Sequence, residues 1–259
     1  MIRKGYAEGG VGQVHLRENA AVPGTSLVCL HATAYSSRTF EPLLRALDGR
    51  VRAIAPDTPG YGESDAPPAP LDIAGYAGAL LPALPTRFDL FGYHTGASIA
   101  VELAIAHPHR VGRLILMGVP HFAALDFAAW RKKLAAPHRL AETLDQFAER
   151  WRFLVTERPA GLSLRGGFEN FVDELKAWPD GWRAHEALFA HDLAGRLPLV
   201  RQRATVLNVP GHLAEPSRLA AALIPDAEVV ELPQLTGAVL DAHAPAIAAL
   251  IRCREPAPC

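Results

Sequence analysis

The chain alternates between short unbroken apolar runs and longer segments whose apolar positions recur every three or four residues. Residues 26–31 (SLVCLH), 51–57, 88–94 and 113–119 are apolar runs of strand length. Runs of that kind suit strands buried on both faces. Residues 37–47 place Phe40, Leu43, Leu44 and Leu47 on one face of a helix. Residues 71–84 and 95–107 read as two more helices. The same alternation returns near the C-terminus, with strands at 204–209 and 227–232 and helices at 215–223 and 245–252. Residues 2–17 alternate around Gly9-Gly10, which predicts an antiparallel hairpin. Strands interleaved with amphipathic helices predict an α/β fold with a mostly parallel central sheet flanked by helices.

Residues 121–196 break this pattern. They hold no strand-like run, and all four tryptophans (Trp130, Trp151, Trp178 and Trp182) fall within them. A crossover of about 75 residues is far longer than usual. The expectation is an inserted helical cap of three or four helices at 121–196, with the core formed by 1–120 and 197–259. The remaining composition is ordinary: 259 residues, 49% hydrophobic, 20% charged, net charge -1. No basic run or patch is present, so neither nucleic acid nor an anionic membrane is expected as a partner. No apolar run of about 18 residues occurs and the N-terminus lacks a signal-like core, so no transmembrane helix is expected. Cys29, Cys253 and Cys259 lack metal-type spacing and read as reduced thiols of a cytoplasmic protein, a monomer or homodimer.

The chemistry concentrates at Gly92-Tyr93-His94-Thr95-Gly96, where an apolar strand turns directly into a helix. Glycines on both sides of one central residue are the mark of a nucleophile elbow, which holds that residue's side chain up at the strand end. The central residue is His94. Upstream stand Leu30-His31-Ala32-Thr33 and the loop Asp57-Thr58-Pro59-Gly60-Tyr61-Gly62-Glu63-Ser64. Together these motifs, in this order, resemble the α/β-hydrolase superfamily from about residue 10 to residue 252. The resemblance implies an oxyanion hole built from the backbone N–H groups of Thr33 and Thr95. It also implies that His31 and Asp57 are structural residues of their loops. In the family a Ser…Asp…His triad completes the site; here the three positions read as His94, His212 and Gly237, so serine, acid and base are all replaced.

Imidazole is an effective acid/base group at neutral pH, with an ordinary pKa near 6.5, so a His94-dependent rate should inflect near neutrality. A base beside an oxyanion hole can remove a proton alpha to a carbonyl and stabilise the enolate. The expected enzyme therefore acts on a small, largely apolar carbonyl compound, by lyase, isomerase or cyclase-type chemistry. Two alternatives stand beside it: an ester or C–C bond hydrolase with a histidine nucleophile, and a silent member that binds a small ligand. His121 and His212, at strand ends, join His94 as candidate catalytic groups. Tyr35, Tyr93, Trp151, Phe168 and Val239 are the candidate pocket residues. Glu215 is expected to begin a helix, Asp241 to cap the last helix, and Asp126 to start the first cap helix. No phosphate-cradling glycine loop and no closely spaced ligand set is present, so no cofactor and no metal is expected.

Overall fold

A computed structural model describes residues 1–122 and 127–253. Asp126 and Cys259 lie outside the described residues, as does the side chain of Cys253. The N-terminal hairpin is formed by β1 (Arg3–Glu8) and β2 (Gln13–Glu18), paired with Tyr6 opposite His15. β3 (Ser26–Leu30) precedes a 3-10 turn at Ser37–Phe40 and α1 (Glu41–Leu47). β4 (Ala53–Pro56), α2 (Ile73–Leu80), β5 (Phe88–Tyr93), α3 (Thr95–Ala106) and β6 (Val111–Met117) follow. The sheet resumes with β7 (Ala204–Asn208), α9 (Ala214–Leu223) and β8 (Ala227–Glu231), after the intervening helices given below.

These eight strands form one sheet in the order β1-β2-β4-β3-β5-β6-β7-β8. The hairpin and the β2–β4 pair are antiparallel, and every later pair is parallel. Successive side chains of a strand point to opposite faces, which explains the unbroken apolar runs. Val28 and Leu30 pack on one face with α2 and α3, through Ile73, Leu80, Ile99 and Leu103. Leu27 and Cys29 pack on the other, with Leu43, Leu44 and Leu47 of α1 and Ile247 and Ile251 of the last helix. Chain order reverses around β3, whose neighbours are β4 on one side and β5 on the other. Ligands of open α/β sheets gather outside the strand C-termini at such a switch point.

Between β6 and β7 the described residues form α4 (Phe127–Leu134), α5 (Asp145–Trp151), a wide π-helical turn at Arg152–Thr156, α6 (Leu164–Ala177), α7 (Arg183–Ala190) and the one-turn α8 (Leu193–Arg196). Among the described residues no strand occurs here, and they form five helices where three or four are expected. Several polar ties join this segment to the core, among them the following. The Tyr61 hydroxyl donates to the Gly181 carbonyl (3.0 Å) and accepts from the Ala184 N–H (3.1 Å). Arg38 and Ser36 both donate to Asp173 of α6. Arg196 makes a two-pronged pair with buried Glu102 of α3, at 2.7 and 2.8 Å.

Helix ends depart from the periodicity where proline or a cap intervenes. Pro42 sits in the first turn of α1 and Pro82 in the 3-10 turn that ends the α2 segment. The Asp72 side chain accepts from the Gly75 N–H and starts α2 two residues later than the apolar spacing predicts. Glu215 stands in the first turn of α9, as expected. Asp241 does not cap the last helix. It lies in the one-turn α10 (Val239–Ala242), and α11 (Ala244–Cys253) begins after it. No helix among the described residues is long and apolar enough to cross a membrane.

Candidate active site

His94 is the N-terminal flanking residue of α3, with φ 51° and ψ -117°. It is the one non-glycine residue with positive φ among the described residues, a strained state that bulky side chains adopt only when the surroundings enforce it. The surroundings here are the two elbow glycines. A Cβ on Gly92 would lie 2.6 Å from the Ala97 Cα, and one on Gly96 would lie 2.1 Å from the Leu30 carbonyl oxygen. Strand and helix therefore touch backbone to backbone. The His94 N–H donates to the Met117 carbonyl, which ties the elbow to the neighbouring strand. The imidazole lies against Gly118, where a Cβ would meet its Cδ2 at 2.7 Å.

The ring faces a pocket of about 60 Å³ lined by Thr33, Thr95, Phe122, Trp130, His185 and His212 among others. The pocket sits at the C-terminal ends of β3, β5, β6 and β7. Burial drives the His94 pKa down from the ordinary range to about 3, and His212 and His185 push the same way. The imidazole is thus neutral across the physiological range. The inflection near neutrality expected from an ordinary imidazole is corrected by this desolvation. Thr95 is buried and opens α3, whose first N–H groups have no partner within the helix.

His31 and Asp57 take the structural parts expected of them. The His31 Nδ1–H donates to the Ala32 carbonyl (2.9 Å), and its Nε2 accepts from the Thr58 N–H (2.9 Å). Asp57 is fully buried and accepts from the Ser37 N–H, the Glu63 N–H and the His15 ring. Burial alone would raise its pKa, but His15, His31 and these donors hold it well below the usual carboxylate range. Gly62 is required beside it, since a Cβ there would fall 2.2 Å from the carboxylate.

The other predicted site residues divide. His212 reaches the pocket; its ring centre is 6.2 Å from that of His94, and it stacks on Trp130 at 4.7 Å. It is exposed on its other side, and burial and Lys133 lower its pKa. His121 is not among the pocket-lining groups; it is buried, 7% exposed, with neither ring nitrogen partnered. Trp151 and Phe168 are 42% and 43% exposed and pack on each other, away from His94. Tyr35 packs against Leu154, Val155 and Phe171, and Val239 belongs to the core beneath α1. Tyr93 touches the His94 ring edge-on at 4.2 Å but backs onto that same core rather than lining the pocket. The aromatic pocket wall is Trp130 and Phe122 instead. Trp151, Phe168 and Phe171 form a seam of their own where α6 meets α5 and the π-helical turn.

Sequence reasoning missed His185. It rides on α7, lines the pocket, and hydrogen-bonds the Leu134 backbone carbonyl, while burial and then Arg150 and His138 lower its pKa to about 4. With one ring nitrogen committed as donor, the other presents a lone pair. Gly237, the position to which the family resemblance assigns a histidine, is sealed. A Cβ there would lie 2.2 Å from the Ala160 carbonyl, and the Ala238 N–H donates to that same oxygen (2.9 Å). The inserted segment occupies the space a base would need.

Residues 25–174 match the alpha/beta hydrolase fold family. Over 230 residues the chain is 31% identical to 2-hydroxy-6-oxo-2,4-heptadienoate hydrolase of Pseudomonas putida, spanning 76% of this chain and 80% of that protein. Over 129 residues it is 33% identical to the pimeloyl-(acyl-carrier protein) methyl ester esterase of Aromatoleum aromaticum, spanning 47% of this chain and about half (49%) of the esterase. A solved hydrolase from Pseudomonas aeruginosa PA01 superposes with a TM-score of 0.77 at 20% identity, covering 96% of this chain and 97% of its own. At that identity the likeness is one of fold.

Proposed function

The chain belongs to the alpha/beta hydrolase family, and on that premise we propose an enzyme that acts on a small, largely apolar carbonyl compound with His94 as its acid/base group. The observation that carries this reading is the strained elbow, which presents an imidazole where the family presents a serine hydroxyl, over a pocket that also holds Thr33 and Thr95. The backbone N–H groups of Thr33 and Thr95 serve as oxyanion donors in this scheme. A neutral imidazole is the form that accepts a proton. With a pKa of about 3 it is by itself a weak base. It gains basicity as negative charge develops on a carbonyl oxygen beside it, so the ion pair is favoured in the transition state more than in the ground state. His185 stands across the pocket as the second proton-transfer group. The cycle fits proton transfer, isomerisation or C–C cleavage through an enolate.

A second reading has neutral His94 attack the carbonyl, break the bond to the alcohol or carbon leaving group, which takes the ring's proton, and form an acyl-imidazole that water then hydrolyses to the carboxylic acid and free imidazole. It is supported by the hydrolase and esterase names of the relatives above. Ordinary serine-type hydrolysis is disfavoured because the elbow carries no hydroxyl and the Gly237 position admits no base.

The test is a panel of p-nitrophenyl esters and of ketones assayed for alpha-proton exchange into deuterium oxide, with wild type and His94→Ala. Loss of an acid/base imidazole is expected to cost about 10²–10⁴-fold. Turnover of a panel member that survives His94→Ala unchanged removes His94 from the chemistry. A protein that binds panel members and turns over none of them is a silent ligand-binding member.

A further inference from the structure

A second hollow of about 50 Å³ adjoins the His94 pocket, and the two share Leu134 and His185 as a common wall. Its lining is rich in donors. Lys133, His138, Arg150, Trp178 and His185 border it, and Glu174 is its one carboxylate. Glu174 is already engaged, since Arg150 reaches it through Nε (2.7 Å) and Nη2. The Arg150 Nη1 has no acceptor among the described residues. Lys133 likewise has no ion-pair partner among them; its ammonium sits 5.4 Å from the centre of the Trp130 ring. His138 and Trp178 are stacked at 4.0 Å, and both the Trp178 Nε1–H and the His138 Nδ1 are buried without a partner. Buried polar groups are rarely left unpaired, and indole N–H is a donor only.

We propose that this hollow is a carboxylate subsite, which takes the carboxylate of a substrate whose carbonyl lies at His94. The second half of that statement rests on the reading of His94 given above; the subsite itself does not. The buried Trp178 N–H has no acceptor, the free prong of Arg150 and exposed Lys133 have no carboxylate partner of their own among the described residues, and a carboxylate offers two acceptor oxygens with a compensating charge. One water needs about 10–15 Å³ by the same measure of space, so the hollow suits a group of carboxylate size and not a ring. The neighbouring pocket, walled by Phe122, Trp130 and Leu188, takes the apolar body. The ligand class is thus a short carbonyl compound with an acid at one end.

Isothermal titration calorimetry of the full chain with 4-oxopentanoate, its methyl ester and inorganic phosphate tests this without turnover. The acid is expected to bind saturably, about tenfold or more tightly than the ester. Trp178→Phe keeps the stacked ring and the net charge but removes one donor, and Lys133→Met removes an exposed cation; each is expected to weaken the acid about three- to tenfold. Glu174→Gln releases Arg150 and is expected to tighten it. Lys132→Met, at a neighbouring position outside the hollow, is expected to leave affinity unchanged and so controls for overall charge. Equal binding of acid and ester overturns the subsite. So does affinity that stays within twofold in both Trp178→Phe and Lys133→Met. Phosphate binding as tightly as the acid overturns the carboxylate assignment. His94→Ala is expected to retain acid binding, so failure of the His94 chemistry and failure of the subsite are read separately.

Discussion

His94 holds no proton above strong acid, because the pocket strips water from the ring and two further imidazoles surround it. A rate that depends on neutral His94 should therefore stay level from pH 8 down to about pH 4, then fall toward a midpoint near the pKa of about 3. A pH–rate profile in the folded range checks this, and an inflection near 6.5 would show the ring to be solvated. Gly237 supports a second residue-level prediction. Gly237→His puts a histidine where the family resemblance expects one but places a Cβ against the Ala160 carbonyl at a backbone φ of +75°. It should add no ester hydrolysis and should cost at least about 2 kcal/mol, read as a melting temperature lower by roughly 5 °C or more. A gain of esterase activity at unchanged stability would refute it. The elbow was legible because two glycines bracket one residue at a strand end. The displaced pKa was not, since desolvation comes from side chains brought together only by the fold. His185 was illegible for the same reason: nothing around it on α7 distinguishes it from a surface histidine.

At the scale of elements, strands and core helices followed the apolar pattern, with strand ends displaced by up to two residues, helix ends reset by Pro42, Pro82 and the Asp72 cap, and the one-turn α10 unforeseen. The inserted segment was legible as helical, but its docking was not. Trp151 and Phe168 carry the spacing of pocket residues yet face solvent, because helical periodicity shows that a face is apolar and not what covers it. Docking depends on a few polar ties. Tyr61 joins the loop after β4 to the start of α7 by donating to Gly181 and accepting from Ala184. Tyr61→Phe leaves both backbone groups without that partner, at a cost of about 1–3 kcal/mol. Limited proteolysis should then cut within residues 127–196 faster than in wild type, while the core fragments stay resistant. Equal cleavage rates would show that the remaining ties suffice.

Across the whole molecule the buried histidines act in one direction, opposed by Asp173, whose burial raises its carboxyl pKa. His94 and His185 have folded pKa values lowered to about 3 and about 4. In the unfolded chain these two rings therefore bind more protons below pH 6.5 than in the folded chain, and their contribution to stability is lost as pH drops through that window. Asp57, held below the usual carboxylate range, contributes stability that is complete above the unfolded carboxylate pKa and is lost at still lower pH. Thermal melts should show the midpoint falling steadily from pH 7 to pH 4, with His94→Gln flattening the upper part of that decline. A midpoint independent of pH over this interval would contradict the buried, neutral histidines.

The distribution of tryptophan has a consequence for any such measurement. Trp130 looks into the His94 pocket, Trp178 and Trp182 border the hollow beside it, and Trp151 packs on α6, while the eight-stranded core contains none. Tryptophan emission from this protein is therefore a spectator of the inserted helices and their seam with the core. The sheet carries no tryptophan, so far-ultraviolet dichroism must be recorded in parallel before any change in that emission is attributed to loss of the fold.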